Sequence, residues 1–406
     1  MRRGIVAALM LLGMGMVARS AAPPPAALPA VSPRVWFLPL LLREETHVYC
    51  LPLITGGPER SASALALASP TAAASPTSAP APSPDPAGCA NLVHRQGDRL
   101  LLDGQPFVLM GVKAFSLMDP ALPEAEIHKL LDAIAGWCAT AIRIWVFPGA
   151  DLDRFQRVLD LAAPRGLRFV VTLQDYYHYK DARWFSTFYK EKDLPHIQRL
   201  VTRFRDRPEI AVWEVMNEPW CGANNEFSDP HCYRILQAWA EDTTGLIRRL
   251  DPCRPISLGT MGVRHTPLEA EAFRRLHTID TVDIVSMHRV PQDWYTHPQE
   301  LDIARELGKP VMIGEVWVMA YKENCSPISG DAVRQRAERL DQDMRKALEL
   351  GVDGYLLWNF APGLVTSKDG QTRFFCGVND YFRDDPVGPL MRALPIRRPA
   401  VRPSTP

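Results

Sequence analysis

Residues 211–219 read Ala-Val-Trp-Glu-Val-Met-Asn-Glu-Pro, an apolar run of strand length that ends on the carboxylate of Glu218. A second run, Pro-Val-Met-Ile-Gly-Glu at residues 310–315, has the same form and ends on Glu315. Strands of parallel sheets are apolar almost throughout, and enzymes built on them hold their reactive side chains where the strands end. Two carboxylates at one rim suggest the chemistry that cleaves glycosidic bonds.

Six further apolar runs extend this pattern along the chain. The eight predicted strands are residues 107–112, 141–147, 168–173, 210–217, 255–258, 282–288, 310–315 and 354–360. Helical stretches lie between them, so the predicted fold is α/β, a single (β/α)8 TIM barrel, with a doubly wound open sheet as the alternative. The barrel is favoured because polar and aromatic residues fall at strand carboxyl ends: Arg143, Asn217, Glu218, His288, Glu315 and Trp358.

Two of the helical stretches carry clear boundary signals. Apolar residues recur at helical spacing from Asp151 to Ala163 and again from Asp331 to Leu350. Each stretch begins with an aspartate suited to an N-cap, and Gly166 and Gly351 follow the two ends. Both helices are therefore predicted with defined starts and stops.

The composition of the chain excludes several classes of function. The 406 residues carry 46 basic and 46 acidic side chains, and 47% of the residues are apolar. The chain has no excess of basic residues of the kind that favours binding to nucleic acid. The sequence also has no phosphate-binding glycine motif or Cys/His metal spacing. Sugar, peptide or small-molecule chemistry remains. No cofactor, metal or nucleic-acid partner is expected, and the protein is expected to be a monomer.

The first 88 residues predict export and a tether. Residues 1–22 combine Arg2 and Arg3, an apolar stretch and the small residues Ser-Ala-Ala, as in a signal peptide. Residues 23–88 form an N-terminal segment and a linker rich in Ala, Ser, Pro and Thr. Within it, residues 35–54 are either a surface-attachment or hairpin segment or a poorly ordered propeptide-like tail, and each apolar piece is too short to span a bilayer.

These features give the expected domain plan and location. A signal peptide and tether would precede a catalytic domain at residues 89–395, followed by a tail at residues 396–406. The mature chain is expected to have no spanning segment. The protein is predicted to be secreted and extracellular, with tethering to the cell surface as a further option.

Eight cysteines in an exported chain favour disulfide bonds over free thiols. Cys221 and Cys232 flank a Gly/Asn-rich loop directly after Glu218 and are the first predicted pair. Cys325 and Cys376 are the second. Cys138 lies within the apparent core and is expected to be reduced.

The strand-end residues together resemble glycoside hydrolase family 5 of clan A, which includes cellulases and β-mannanases. The resemblance covers roughly residues 98–365 and is carried by Trp-Glu-Val-Met-Asn-Glu-Pro on the fourth strand and Ile-Gly-Glu on the seventh. It implies Glu218 as the general acid/base and Glu315 as the nucleophile of a retaining mechanism. The general acid must hold its proton near neutral pH, whereas a nearby cation keeps the nucleophile ionised.

The resemblance also implies roles for the surrounding residues. Asn217 would donate to the sugar 2-hydroxyl and Arg143 would orient the nucleophile. His288 would line the site, and Trp358 would be the platform on which a sugar stacks. Glu315 and Arg143 would also suit a structural ion pair at the rim of the barrel, which is the alternative to a catalytic role for these two residues.

Aromatic residues outside this motif are weaker candidates for substrate binding. Tyr176, in the run Asp-Tyr-Tyr-His-Tyr at 175–179, and Trp294 are predicted to line a sugar-binding groove. Trp184 and Trp220 are similar cases. Ordinary loop packing is the alternative for all four.

Two positions depart from the family pattern. The family usually places a tyrosine that hydrogen-bonds the nucleophile two residues after the sixth-strand histidine, where this chain has Val290. Tyr295 is a candidate replacement. Many relatives also carry a histidine after the third strand, where this chain has Gln174 and Asp175. These changes bear on rate, pH profile and substrate more than on reaction class.

The substrate is expected to be a β-1,4-linked polysaccharide. The segment from Arg143 to Phe147, and a cysteine directly after the Asn-Glu-Pro motif, look closer to endo-β-1,4-mannanases than to cellulases. An endo-β-1,4-glucanase is the first alternative. A catalytically silent carbohydrate-binding protein at the cell surface, on a hydrolase scaffold, is the second.

Overall fold

The computed structural model describes residues 89, 91–175, 182–219, 230–263, 267–296, 298–322, 324, 326–366, 368 and 370–396. The predicted signal peptide and tether lie outside these residues, as do Tyr176, Trp220, Cys221 and Cys325. Among the described residues, no helix combines the length and apolar character that crossing a bilayer requires.

Eight parallel strands form the central sheet. They are β4 (Leu109–Lys113), β5 (Ala141–Trp145), β6 (Arg168–Thr172), β7 (Ile210–Glu214), β8 (Ile256–Ser257), β9 (Val285–Arg289), β10 (Val311–Val316) and β11 (Gly354–Leu357). The hydrogen-bonded order is β8-β7-β6-β5-β4-β11-β10-β9. A bridge between Ser257 and Ile284 joins the two ends of this order and nearly closes the ring. Each strand overlaps a predicted one, and the barrel prediction is confirmed.

Helices surround the sheet in the described part of the chain. They are α1 (Glu124–Gly136), α2 (Leu152–Ala162), α3 (Tyr189–Lys192), α4 (Leu194–Phe204), α5 (Pro230–Leu250), α6 (Pro267–Thr278), α7 (Asp293–Thr296), α8 (Gln299–Leu307), α9 (Ala332–Glu349) and α10 (Val387–Arg392). A 3₁₀ turn at Phe115–Met118 follows β4, another at Ala163–Arg165 follows α2, and a π-helical turn at Trp184–Phe188 precedes α3.

The two predicted helices start differently. The Asp151 carboxylate accepts from the backbone N–H groups of Asp153 and Arg154, at 2.9 and 3.0 Å, and so caps α2 as expected. Asp331 stands at the N-cap position of α9, but its side chain makes no capping bond and pairs with Arg334 at 3.1 Å instead. The φ angles of Gly166 and Gly351, 67° and 78°, fit the left-handed helix ends that the sequence predicted.

A small antiparallel sheet covers the amino ends of the barrel strands, which we call the floor. It consists of β1 (His94–Gln96), β2 (Arg99–Leu102) and β3 (Gln105–Pro106). Leu100 and Leu102 of this sheet pack in one apolar cluster with Leu109, Met312 and other residues of the barrel interior. A second antiparallel pair, β12 (Gly363–Thr366) and β13 (Thr372–Phe375), follows β11. The opposite end of the barrel, where the strands terminate, is the mouth.

The cysteines give one unpredicted bond and one correction. Cys89 and Cys253 form a disulfide that ties the start of the domain to the turn before β8. Cys138 is also disulfide-bonded, so the prediction of a reduced thiol is wrong. Burial of a cysteine in the core does not distinguish a thiol from half of a disulfide. Cys232 and Cys376 are bonded too, but Cys221 and Cys325, their predicted partners, lie outside the described residues.

Candidate active site

Two carboxylates face each other across the mouth. Glu218 follows β7 and Glu315 lies in β10, and both are nearly buried, with 6% and 5% of their surface exposed. His288 of β9 stands between them: its Nδ1 lies 2.7 Å from Glu218 Oε1 and 3.6 Å from Glu315 Oε2. One oxygen of each carboxylate and one ring nitrogen all lie within 4.8 Å of one another. The structure therefore brings together two acids that are 97 residues apart in sequence.

The backbone around Glu218 is fixed by its neighbours. The N–H of Glu218 donates to the carbonyl of Gly259 at 2.8 Å, and the N–H of Asn217 donates to that of Gln174 at 2.8 Å. Glu218 itself has a φ of 52°, a left-handed value that is unfavourable for a residue with a Cβ. A Cβ at Gly259 would lie 2.0 Å from the Met216 carbonyl, so only glycine allows this approach. Such local strain is typical of functional sites.

Arg143 is fully buried and links the nucleophile candidate to two other groups. Its guanidinium contacts Glu315 Oε1, donates from Nε to Glu214 Oε1 at 2.7 Å, and donates from Nη2 to Asn217 Oδ1 at 2.9 Å. Burial alone would lower the pKa of Arg143, but the charges of Glu214 and Glu315 outweigh it and raise that pKa. Arg143 is therefore a permanent cation beside Glu315.

Glu214 is a site residue that the sequence analysis missed. It lies in β7 with no exposed surface, accepts from Arg143, and accepts from the Thr172 hydroxyl at 2.8 Å. The sequence pattern predicts only that Glu214 is part of an apolar strand. The signal was available, because a lone carboxylate within a buried strand needs a cationic partner.

Lys113 is the second residue that the sequence analysis missed. It ends β4, is fully buried, and its Nζ lies 3.4 Å from Glu315 Oε1. The same Nζ lies 3.2 Å from the ring centroids of both Trp145 and Trp358. Burial is the main reason that its pKa falls well below the usual 10.5, and Arg143 adds to this while Glu315 opposes it. Like Glu218, Lys113 is a charged residue at the carboxyl end of an apolar strand, so the same sequence signal was present.

A chain of polar contacts supports Asn217 from behind. Asn217 Nδ2 donates to Asp175 at 3.2 Å, and the Asp175 N–H donates to Gln174 Oε1 at 2.9 Å. Gln174 Nε2 donates to Asp193 at 2.5 Å, as does the indole of Trp184 at 3.0 Å. Burial raises the pKa of Asp193 to about 6, although both donors oppose the shift. Gln174 and Asp175 thus connect the mouth to the buried start of α4.

Half-buried aromatic rings line one side of the mouth. Phe115 stacks on Trp145 with ring centroids 5.7 Å apart, and Trp145 stacks on Phe147 at 5.0 Å. Trp358 meets Trp145 edge to face at 5.9 Å. Phe115 is 39% exposed. Such a surface suits the apolar faces of sugar rings.

The other predicted aromatic residues fall elsewhere. Trp294 is completely buried, and its indole nitrogen donates to Asp343 at 3.0 Å. This corrects the prediction of a groove-lining tryptophan, because the ring packs in the core between α7 and α9. Tyr295 makes an edge-to-face contact with Trp294. Tyr176 lies outside the described residues.

The mouth also holds the one set of described side chains arranged as a metal site would require. These are Glu218, His288 and Glu315. Arg143 and Lys113 already place two positive groups on Glu315, which disfavours a further cation there. The donor set fits acid/base and nucleophilic chemistry better than metal binding.

Comparisons with known proteins find a matching family model and related sequences. Residues 174–314 match the model of GH family 5 beta-mannosidase-like proteins. Mannan endo-1,4-beta-mannosidase 2 of Oryza sativa subsp. japonica is 25% identical over 295 residues, 57% of this chain and 63% of the relative. Mannan endo-1,4-beta-mannosidase 8 of the same plant is 23% identical over 360 residues, 70% of this chain and 95% of the relative.

Solved structures share the fold. The endo-1,4-beta-mannanase of Rhizomucor miehei superimposes with a TM-score of 0.59 at 16% identity, covering 74% of this chain and 97% of the other. The hyperthermostable endo-1,4-beta-D-mannanase of Thermotoga petrophila RKU-1 gives a TM-score of 0.56 at 19% identity, covering 70% and 98%. At these identities the likeness establishes the barrel.

Proposed function

We propose that this chain is a member of glycoside hydrolase family 5 and that it is a retaining endo-β-1,4-mannanase that is secreted by the cell. The observation that carries the proposal is the pair of opposed carboxylates, Glu218 and Glu315, whose facing oxygens lie within 4.8 Å. Retaining glycosidases need carboxyl groups about 5 to 5.5 Å apart, whereas inverting ones leave room for a water.

The geometry supports a two-step reaction. Glu315 attacks the anomeric carbon while Glu218 gives its proton to the departing glycosidic oxygen, which forms a glycosyl ester on Glu315. Water then attacks the same carbon, Glu218 takes the water proton, and the bonding electrons return to Glu315. Arg143 keeps Glu315 ionised before the first step.

His288 positions Glu218 for both steps. Its Nε2 has no hydrogen-bond partner among the described residues, and an unpaired buried N–H would be costly. We therefore place the proton on Nδ1, which donates to Glu218 Oε1 at 2.7 Å. In this tautomer His288 holds the acid/base side chain toward the bond that breaks.

Mannan is the favoured substrate because the two rice relatives are named as mannan endo-1,4-beta-mannosidases. The aromatic side of the mouth, formed by Phe115, Trp145, Phe147 and Trp358, offers stacking surfaces for several sugar units. Secretion is supported by the predicted signal peptide and by the disulfide between Cys89 and Cys253.

The test is to incubate the purified protein with mannan, carboxymethylcellulose and xylan and to follow the release of reducing ends. We expect release from mannan, with a fall in viscosity before free mannose appears, and with the β-anomer as the first product in NMR. Glu218→Gln and Glu315→Gln should each reduce the rate by at least about 10³-fold, as expected for groups that act together in one step.

Glu209→Gln is the matched control. Glu209 is a nearly buried glutamate directly before β7, at the opposite end of the strand that leads to Glu218, and it pairs with Arg207 at 2.8 Å. Its activity should match the wild type. Release from carboxymethylcellulose alone would assign a glucanase instead, and binding to mannan without release would indicate the silent carbohydrate-binding protein.

A further inference from the structure

Lys113 is a buried amine in the catalytic centre for which the reaction above assigns no task. Its Nζ contacts Glu315 Oε1 at 3.4 Å, on the same oxygen that Arg143 contacts. Few buried lysines are without a partner, and this one has a single carboxylate within salt-bridge distance among the described residues.

Two indole rings are the aromatic groups nearest to its amine, with the Phe115 ring farther away at 5.5 Å. Nζ lies 3.2 Å from the ring centroids of Trp145 and Trp358, which are themselves 5.9 Å apart, so the amine lies between two aromatic faces. Indole faces attract cations, most strongly when water is excluded. The amine therefore contacts one carboxylate oxygen and two aromatic rings.

We propose that Lys113 is a positioning residue whose ammonium, held between Trp145 and Trp358, keeps the nucleophile Glu315 ionised and oriented. This inference rests on the proposed function, because it takes Glu315 to be the nucleophile. It also fills a gap in the sequence pattern, since Val290 stands where a tyrosine hydroxyl was expected to bond Glu315.

The pairing works in both directions. Ionised Glu315 favours the ammonium form of Lys113, and the ammonium disfavours protonation of Glu315. When Glu315 becomes a neutral ester, the ammonium loses its counter-charge. As the ester breaks, the electron pair returns to Glu315 and the attraction is restored, so Lys113 favours release of the sugar.

Other groups act on this pair and remain in place in every variant below. The charged or titratable groups that face Glu315 or Lys113 are Arg143 of β5, Glu214 of β7, Glu218 after β7, His288 of β9 and Asp380 after β13. Arg143 contacts the same oxygen, so Lys113 is a second cation and its removal should weaken the site without abolishing it.

The experiment measures kcat/KM on a mannan oligosaccharide from pH 3 to pH 9 for the wild type, Lys113→Met and Lys113→Gln. Both variants remove the charge, and Gln keeps a polar group should Met fold poorly. We expect the acid limb of the profile to move to higher pH by about one unit, the effect of losing a cation close to a partly screened carboxylate. kcat should fall more than KM rises.

Lys309→Met is the matched control for removing a buried lysine. Its ammonium, before β10, donates to the backbone carbonyls of His277, Ile279 and Val282 at the floor. This variant should lose stability and keep the wild-type acid limb. An acid limb that also stays unchanged in both Lys113 variants, whatever their stability, would overturn the proposal.

A second measurement does not depend on activity. Carboxyl ¹³C NMR of glutamate-labelled protein can follow the ionisation of Glu315, with its signal assigned by its loss in Glu315→Gln. In Lys113→Met the Glu315 signal should titrate at higher pH than in the wild type, and an unshifted titration would contradict the inference. A wild type that cleaves no polysaccharide would instead contradict the proposed function, so the two failures are distinguishable.

Discussion

The mouth and the floor of the barrel both bury cations, but they pair them differently. At the mouth, Arg143 and Lys113 contact side-chain carboxylates on non-adjacent strands of the barrel. At the floor, Arg254 donates to the backbone carbonyls of Ile210, Arg205 and Arg207, with Asp251 as its carboxylate partner, and Lys309 donates to carbonyls alone in the described residues.

The difference in partners distinguishes cations that affect the reaction from cations that only stabilise the fold. A backbone carbonyl cannot react or change its charge, so a cation that satisfies several carbonyls only holds loops together. A carboxylate at the open mouth can take a proton or form an ester, so a cation beside it can influence the reaction, whereas Asp251 beside Arg254 lies at the floor. Changes at the mouth should therefore act mainly on rate, and changes at the floor mainly on the free energy of unfolding.

The largest expected effect follows from Arg143→Met. The change leaves Glu214 and Glu315 buried without their shared cation, so Glu315 loses its main source of ionisation and orientation. We expect kcat/KM on mannan to fall about 10³-fold, the upper range for removing one preorganised electrostatic contact. Arg143→Lys, which keeps the charge but not the three-way geometry, should recover part of the rate. Activity within tenfold of wild type in Arg143→Met would contradict the inference that changes at the mouth act mainly on rate.

The corresponding change at the floor is Arg254→Met. Three backbone carbonyls lose the guanidinium donor and Asp251 loses its cationic partner, so we expect the free energy of unfolding in urea to fall by about 3 to 5 kcal/mol. The folded fraction should keep its kcat/KM within twofold. A large loss of rate with unchanged stability would show that the two ends are not separable.

Removing the disulfide between Cys89 and Cys253 should lower the free energy of unfolding by a somewhat smaller amount. Cys89 and Cys253 are 164 residues apart, and the chain-entropy model gives an upper value of about 5 kcal/mol for so long a loop, while measured values are typically about 2 to 4 kcal/mol. Calorimetry of the Cys89→Ser/Cys253→Ser double variant should show a lower unfolding temperature, with mannan hydrolysis intact below the transition. An unchanged unfolding temperature would mean that other contacts hold the start of the domain.

The smallest expected effect concerns pH. Burial raises the pKa of Asp353, at the floor beside β11, to about 6, from 3.8. In the unfolded chain this carboxyl ionises near its ordinary value, so unfolding releases a proton between about pH 4 and 6 and stability falls as the pH rises through that window. The loss is at most about 3 kcal/mol, from roughly two pH units at 1.36 kcal/mol each.

Asp353→Asn should flatten that slope. Compared with the wild type, the variant should gain relative stability in urea unfolding as the pH rises from 4 to 7, and its activity profile should not change. An identical slope in both proteins would assign the pH dependence to other carboxyls, such as Asp193, whose pKa burial also raises to about 6.

The sequence predicted the barrel well because each strand is a short apolar run that ends in a polar residue. The same rule located Arg143, Glu218, His288 and Glu315, which the structure brings together. The prediction failed for residues whose type is compatible with both a buried and an exposed position. Glu214 was absorbed into a strand, and Trp294 was expected on the surface although its indole bonds to buried Asp343.

Contacts between distant segments were the other limit. Nothing local in the sequence pairs Cys89 with Cys253, because the bond depends on how the floor sheet meets the turn before β8. Lys113 carried the right local signal, a lysine at a strand end, but its meaning depends on two tryptophans that lie 32 and 245 residues further along the chain. They become neighbours because β4 pairs with β5 on one side and with β11 on the other.

Arg143 is anchored independently of the residue that it assists. In the proposed mechanism, Glu214, itself fixed by the Thr172 hydroxyl, would keep its bond to the guanidinium while Glu315 passes from anion to ester and back. The guanidinium therefore has no reason to swing away during the half of the cycle in which Glu315 has no charge to offer it. In the proposed cycle the guanidinium is thus already oriented toward Glu315 when the next substrate arrives.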